Sequence, residues 1–192
     1  MIVIENLSKK YGKKLAVDNF SVEIGNGIYG LIGPNGAGKS SLMNILTGIL
    51  EPTSGGILFE GKPIKEQNKH YIKHLGYLPQ KVGFYPNFTA YETLKYFASL
   101  KKMTGDVKLE INKLLSEVSL LDVANKKVRT FSGGMKQRLG IALVLLGNPK
   151  ILIFDEPTVG LDPKERLKFR NIINSLSIDR VVLLSTHIIS DI

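Results

Sequence analysis

The sequence contains no cysteine, which removes two kinds of stabilising chemistry. Without thiols the chain forms no disulfide and binds no metal through sulfur, a composition that suits a reducing cytoplasm. The longest apolar stretch, Leu139 to Leu146, is far shorter than the ~20 residues that a membrane-spanning helix needs. Residues 1–5 lack the basic and apolar regions of a signal peptide. We therefore expect a cytoplasmic protein without a membrane span.

Long runs of like charge are also absent, although the chain carries a net charge of +9. The excess lysines occur as dispersed pairs, and none approaches the roughly five or six like charges of an interaction tail. Nucleotide phosphates, nucleic acid and an anionic membrane surface would each suit this charge, so charge alone leaves the partner open. We find no repeat or linker, and a length of 192 residues suits a single domain spanning 1–192.

The most informative segment that is present is the octapeptide at 33–40, which matches Gly-x-x-x-x-Gly-Lys-[Ser/Thr], the phosphate-binding loop. An apolar strand precedes it and apolar residues at helical spacing follow it, which argues against a chance glycine-rich turn. The N-terminus of that helix would offer unpaired N–H groups and a positive dipole end to phosphate. Lys39 would reach the β- and γ-phosphates, and the Ser40 hydroxyl would bind Mg²⁺. The predicted nucleotide-binding residues of this segment are Gly33, Pro34, Asn35, Gly36, Ala37, Gly38, Lys39, Ser40 and Ser41.

A second candidate element is the apolar strand Ile151 to Phe154, which ends in two acidic residues. Such a strand delivers carboxylates to the edge of a parallel sheet where ligands bind. Asp155 would hold Mg²⁺, and Glu156 would polarise a water for in-line attack on the γ-phosphate. The alternative is a pair of solvated acids, but beside a phosphate loop we favour an enzyme that hydrolyses its nucleotide.

The order of predicted elements indicates an α/β fold with a P-loop NTPase core. Short apolar strands alternate with helices, which is typical of a mainly parallel sheet covered on both faces. Strands at 2–5 and 20–24, joined by a basic turn, predict an N-terminal antiparallel β subdomain. A helical insert is expected at about 85–130, followed by a helix from Met135 to about Leu146.

The segment Ser132-Gly133-Gly134 provides a second helix N-terminus suited to an anion. One triphosphate needs only one such cradle, so the segment is either a plain N-cap or a receptor for phosphate from elsewhere. Lys136 and Arg138 on the same helix would either meet phosphate or be surface charge. His70 and His74 stand four residues apart, and without a third ligand a solvated helix face is favoured over a metal site.

Taken together, these motifs resemble the ATP-binding cassette (ABC) family, specifically the nucleotide-binding subunit of a transporter. Residues 131–135 match the signature segment of that family, and Gln80 stands at the position of its Q-loop glutamine. Asp162 lies in a match to the D-loop, and His187 matches the switch histidine. Tyr11 stands where the family places an aromatic ring on adenine. The matches follow the family's order and cover nearly the whole chain.

The resemblance implies a head-to-tail pair of cassettes, identical or different, with two ATP molecules between them. Gln80 would sense the γ-phosphate, help hold Mg²⁺ and couple the site to a membrane subunit. His187 would contact the γ-phosphate and the attacking water, and Asp162 would support the neighbouring site. The residues implied to contact the ATP of the partner are Ser132, Gly133, Gly134 and Met135.

The signature segment departs from the common family pattern, with Phe131 in place of leucine and Met135 in place of glutamine. Ser-Gly-Gly-Met resembles cassettes that drive multidrug, antibiotic or bacteriocin export with a separate permease. We therefore expect an exporter ATPase that is peripheral on the inner face of the cell membrane, bound to an integral membrane permease. Family members also continue past the switch histidine, so a shortened cassette is expected.

Two other functions remain as alternatives. A soluble ABC-type ATPase acting on nucleic acid or ribosomes would suit the charge of +9. The chain has neither a second cassette nor long coiled-coil heptads, so nucleic acid is not the expected partner. The other alternative is a truncated cassette that is inactive.

Overall fold

The computed structural model describes residues 1–34 and 36–186 as two four-stranded sheets with helices packed around them. Asn35 and residues 187–192 lie outside the described residues, and with them the predicted contributions of Asn35 and His187. One sheet is antiparallel and N-terminal, and the other is parallel. The predicted α/β fold, with an antiparallel β subdomain and a parallel sheet, is confirmed.

The antiparallel sheet has the strand order β2-β1-β4-β5. Its first two strands form a hairpin that turns after Tyr11, which pairs with Lys14. Both are longer than the apolar patterns at 2–5 and 20–24 predicted, because the strand pairing continues through register shifts between Ile4 and Lys10 that break the regular alternation of buried and exposed residues. The strands are β1 (Ile2–Tyr11), β2 (Lys14–Ile24), β4 (Ser54–Phe59) and β5 (Lys62–Pro63).

The parallel sheet has the order β3-β8-β7-β6, so strands that are distant in sequence lie side by side. All four strands run in the same direction, and their carboxyl ends therefore meet at one edge, where ligands of open α/β sheets bind. The phosphate loop follows the first of these strands, and Asp155 ends the third. The strands are β3 (Gly27–Ile32), β6 (Leu75–Leu78), β7 (Ile151–Asp155) and β8 (Val181–Thr186).

The helices predicted after the phosphate loop, in the insert and from Met135 are present, with small differences at their ends. The helix expected from Met135 begins at Gly133, because Ser132 accepts a hydrogen bond from the Met135 N–H and thereby caps it. The expected helical insert contains two helices and short 3₁₀ turns at 121–123 and 128–130. The helices are α1 (Lys39–Leu46), α2 (Asn68–Lys73), α3 (Ala90–Leu100), α4 (Val107–Glu117), α5 (Gly133–Leu145) and α6 (Pro163–Leu176).

Strand β7 divides the apolar core in two. Ile151 and Ile153 join the core on the side of α1 and the antiparallel sheet. Leu152 and Phe154 face the opposite way, into the core formed with α3, α4, α5 and α6. A strand buried on both faces is closely packed, so the acidic residues at its end are positioned directly by the apolar core.

In the described part of the chain, every helix is too short or too polar to span a lipid bilayer.

Candidate nucleotide-binding site

Glycine conformation shapes the predicted phosphate loop. Gly38, the N-cap of α1, has φ of 91°, in the left-handed region that disfavours side chains. A Cβ atom on Gly38 would also collide with the carbonyl oxygen of Ala16. Among the described residues no side chain caps α1, so the first-turn N–H groups remain available to an anion.

The Lys39 side chain folds back across the loop. Its ammonium donates hydrogen bonds to the carbonyl oxygens of Gly33 at 2.6 Å and Pro34 at 3.1 Å. These contacts hold a positive charge directly over the backbone of the loop. The arrangement supplies the charge-assisted donor that a terminal phosphate requires.

A cavity of about 290 Å³ opens at the loop and brings several predicted residues together. Tyr11 stands at its rim, with its hydroxyl 3.3 Å from the Ser41 Oγ. A larger cavity of about 970 Å³ lies between α4 and α6, and none of the predicted site residues that the structure describes lines it. The smaller cavity is the candidate nucleotide site, because its walls carry residues of the predicted phosphate loop. Those walls are Tyr11, Lys14, Ala16, Gly36, Gly38, Lys39, Ser40, Ser41 and Glu156.

Ser185 organises the acidic end of β7. It lies opposite Asp155 in the register between β7 and β8 and is completely buried. Its hydroxyl donates to Asp155 Oδ1 at 2.5 Å and accepts from the Glu156 N–H at 2.8 Å. Sequence analysis did not assign Ser185 a role, because the strand pairing that places it beside two acids is a long-range feature.

Glu156 occupies an unusual backbone position for a residue with a side chain. Its φ is 46°, in the left-handed region. Such conformations persist where the surrounding structure enforces them, and they concentrate at functional sites. Here the turn carries the chain away from β7 and places the Glu156 side chain at the wall of the cavity.

Gln80 joins this group from the neighbouring strand. It follows the end of β6, and its Nε2 donates to Glu156 Oε2 at 2.7 Å. Nearby, burial raises the pKa of the Tyr77 hydroxyl, and the charge of Asp155 raises it further. The structure therefore brings Gln80, Asp155 and Glu156 together at the carboxyl edge of the parallel sheet.

The predicted Mg²⁺ ligands form an oxygen donor set. They comprise the Ser40 hydroxyl, the Asp155 carboxylate and the Gln80 amide oxygen. Hard oxygen donors with one carboxylate are what Mg²⁺ binds when nucleotide phosphates complete its shell. The residues present thus fit the ion.

The predicted signature residues lie apart from this cavity. Ser132 and Gly133 are exposed at the start of α5, where the Ser132 Oγ accepts from the Met135 N–H at 3.2 Å. Among the described residues, the walls of the cavity include none of the four from Ser132 to Met135. The phosphate loop at the start of α1 and the signature segment at the start of α5 therefore lie at separate places on one chain.

Asp162 caps α6, its Oδ1 accepting from the Glu165 N–H at 2.9 Å. Glu165 in turn forms an ion pair with Arg138 of α5. The side chain of Arg138 is 11% exposed, so it is not the surface charge that was one of its two interpretations from the sequence. Sequence analysis missed Glu165 altogether, because nothing local links residues on two different helices.

Comparison with known proteins agrees with this geometry. A family model described as "ABC transporter" matches residues 17–159. The lantibiotic transport ATP-binding protein SrtF of Streptococcus pyogenes is 42% identical, over 100% of this chain and 82% of that protein. The bacitracin transport ATP-binding protein BcrA of Bacillus licheniformis is 40% identical, over 100% of this chain and 63% of that protein.

Solved structures share the fold. The dimeric bacterial ABC transporter cassette MJ0796 superimposes with a TM-score of 0.86 at 27% identity, over 100% of this chain and 90% of that chain. The same cassette in a dimeric post-hydrolysis state with ADP and Pi gives a TM-score of 0.85. The chain therefore belongs to the ABC transporter family and is an ATP-binding ATPase of that family.

Proposed function

We propose that this chain hydrolyses ATP to power export of an antibiotic or bacteriocin by a separate membrane permease. The observation that carries the proposal is the Glu156 carboxylate, which lines the cavity of the phosphate loop and is held by Gln80 at 2.7 Å. A carboxylate at this position can act as the general base of hydrolysis, which favours an ATPase over a protein that only binds its nucleotide. The class of transported substrate is supported by the relatives SrtF and BcrA, whose names refer to lantibiotic and bacitracin transport.

In the proposed binding step, the N–H groups of the loop and of the first turn of α1 surround the phosphates of ATP. Lys39 exchanges its bonds to the loop carbonyls for the β- and γ-phosphates, and the Tyr11 ring packs on adenine. Asn35 and Ser41 are the remaining residues of this segment that we propose to bind the nucleotide. Mg²⁺, held by Ser40, Asp155 and Gln80, would neutralise developing phosphate charge.

In the proposed hydrolysis step, Glu156 accepts a proton from water while the water oxygen bonds to the γ-phosphorus. The bond from that phosphorus to the β–γ bridging oxygen breaks, and ADP and phosphate result. Gln80 fixes the Glu156 carboxylate, and Ser185 fixes the backbone beneath it. His187 is proposed to contact the γ-phosphate and the same water.

We propose that ATP also joins two cassettes, with Ser132, Gly133, Gly134 and Met135 contacting the nucleotide of the partner. The exposure of Ser132 and Gly133 supports this assignment, as does the dimeric state of the cassette MJ0796. Asp162 would support the neighbouring site from its place at the start of α6. The chain alone presents each half of the site on a different surface.

The proposed contact with the permease is an exposed aromatic cluster shortly after Gln80. The rings of Tyr85 and Tyr96 lie 5.5 Å apart, and both flank Phe88 at 5.0 and 5.9 Å. Tyr85 is 49% exposed and Tyr96 is 37% exposed. Covering these rings with a cytoplasmic segment of the permease would stabilise a complex on the inner face of the membrane.

Steady-state ATPase activity of the Glu156→Gln variant tests the function. We expect nucleotide binding to persist and turnover to fall by about two orders of magnitude or more, because general-base catalysis typically contributes that much. Glu66→Gln, which alters an exposed acid on the antiparallel subdomain, is the matched control. Wild-type turnover in Glu156→Gln would remove the assigned base.

A second measurement addresses the partner. Tyr85→Ser with Tyr96→Ser should leave ATPase activity of the isolated chain intact and reduce co-purification with an integral membrane protein. Salt-sensitive RNA or DNA binding without a membrane partner would instead favour the nucleic-acid alternative.

A further inference from the structure

A single side chain joins the two elements proposed to reach the ATP of the partner cassette. Glu165, on the first turn of α6, donates its N–H to the Asp162 carboxylate at 2.9 Å. Its own carboxylate accepts from Arg138 on α5 through Oε2 and from Lys168 through Oε1 at 3.0 Å. Glu165 therefore contacts both Asp162 of the D-loop and helix α5, which begins at the signature segment.

The start of α5 also packs directly on Glu165. A Cβ atom built on Gly134 would lie 2.6 Å from the Cγ, Cδ and Oε2 atoms of Glu165. That spacing shows that the backbone of the signature segment packs directly against this carboxylate, which would have to shift to admit a side chain at Gly134. The position of Glu165 and the first turn of α5 are therefore fitted to each other.

The contact between Arg138 and Glu165 is largely shielded from water. Their side chains are 11% and 18% exposed, and among the described residues the Arg138 Nε has no hydrogen-bond partner. The guanidinium is thus oriented chiefly by Glu165. Burial by itself would raise the pKa of Glu165, but hydrogen bonds from Lys168 and Arg138 outweigh it and hold the pKa below the usual value.

We propose that Arg138 and Glu165 form a positioning pair that fixes Ser132–Met135 relative to Asp162, so that both meet the partner's ATP together. This inference rests on the composite site of the proposed function. Within the described chain, neither member of the pair lines the cavity at the phosphate loop. The pair acts on the signature segment that meets the partner's ATP, and it does not affect nucleotide binding at the phosphate loop of its own chain.

The test compares Glu165→Gln with Lys168→Gln. Lys168 is 45% exposed, and exposed ion pairs contribute little, so its loss is the matched control for the same carboxylate. In a Glu156→Gln background, we expect Glu165→Gln to weaken ATP-dependent dimerisation by about tenfold or more, because one partner of a buried pair is left uncompensated. Affinity of the monomer for a fluorescent ATP analogue should stay within about twofold of the parent, since coupling of distant sites is small.

A second variant, Arg138→Met with Glu165→Met, removes both charges and keeps the volume. Such replacements of buried pairs often preserve stability, so it remains informative if Glu165→Gln does not fold. Weak dimerisation by this folded double variant, with normal monomer affinity, supports the positioning pair. Dimerisation as tight as that of the parent overturns it.

The parent Glu156→Gln chain separates this inference from the proposed function. If the parent does not dimerise with ATP, the composite site fails before the pair is tested, and the inference fails with it. If the parent dimerises and both variants match it, only the positioning pair is refuted.

Discussion

The N-termini of α1 and α5 are built in opposite ways, although both are proposed to receive phosphate. The start of α1 has a glycine cap, no capping side chain among the described residues, and a lysine lying over the loop. The start of α5 has a serine whose hydroxyl already bonds the Met135 N–H. The first is open toward a cavity of its own chain, and the second is exposed and closed by its own side chain.

This difference suggests that α1 serves nucleotide binding by one chain and that α5 serves the association of two chains. An uncapped terminus over a cavity suits nucleotide binding by a single chain, because its N–H groups and charge already face that cavity. A terminus capped by serine has one N–H already satisfied, and on the proposed function its hydroxyl and glycine backbone meet phosphate presented by a second molecule. The comparison predicts that variants at α1 change monomer affinity, whereas variants at α5 change association.

Gly38→Ala should have the largest effect. The new methyl group would meet the Ala16 carbonyl oxygen, and φ of 91° is unfavourable for alanine, so we expect the loop to rearrange and nucleotide affinity to be lost. Isothermal titration with ATP measures this. Gly133→Ala at the start of α5 is the matched change, since nothing lies within 4 Å of the added atom. Its melting temperature and monomer affinity should stay near those of the parent.

Equal losses of monomer affinity in Gly38→Ala and Gly133→Ala would break the comparison. Intact affinity in Gly38→Ala would show that the loop tolerates a side chain and would contradict the geometry described.

Ser132→Ala should have a moderate effect on folding stability. Removing an N-cap costs about 1 kcal/mol, which corresponds to a fall in Tm of about 3 °C for a chain of this size. Calorimetry measures the shift. Ser99→Ala, whose hydroxyl donates to the Lys95 carbonyl oxygen within α3, should change Tm by less. A Tm for Ser132→Ala no lower than that of Ser99→Ala would contradict the assigned cap.

The smallest effect is expected from the ion pairs around Glu60, which lie outside both helix termini. A hydrogen bond from Lys150, and to a smaller extent one from His70, lowers the pKa of Glu60 from 4.5 to about 2. A depressed carboxyl pKa stabilises the fold above the unfolded pKa, and that stabilisation is lost as pH falls from about 4.5 toward 2. Thermal melts of wild type and Glu60→Gln should therefore differ at pH 6 and converge toward pH 2.

Lys150→Met provides a matched variant, since it removes the first cause of the shift. It should reproduce part of the Glu60→Gln behaviour and leave ATP affinity unchanged. A Tm difference between wild type and Glu60→Gln that stays constant over this pH range would contradict the assignment.

The sequence predicts the phosphate loop at the start of α1 much better than the residues that pack around the two candidate sites. The loop at 33–40 and the acids Asp155 and Glu156 are visible because strand, turn and charged residues are contiguous. Ser185 and Glu165 are not visible, because their roles depend on strand register and on packing between α5 and α6. The lengths of β1 and β2 also escape a periodicity argument, since register shifts between Ile4 and Lys10 interrupt the two-residue alternation.

The central claim is that each ATP site needs α1 of one chain and α5 of another. Mixing two inactive variants, Lys39→Ala and Ser132→Arg, tests it directly. Lys39→Ala loses a charge-assisted phosphate contact, and Ser132→Arg places a bulky cation at the contact with the partner's nucleotide. A mixed dimer of the two retains one site with an intact loop and an intact signature segment. We expect ATPase activity to return on mixing. A mixture as inactive as its two components would show that the loop and signature segment of one chain form the whole site.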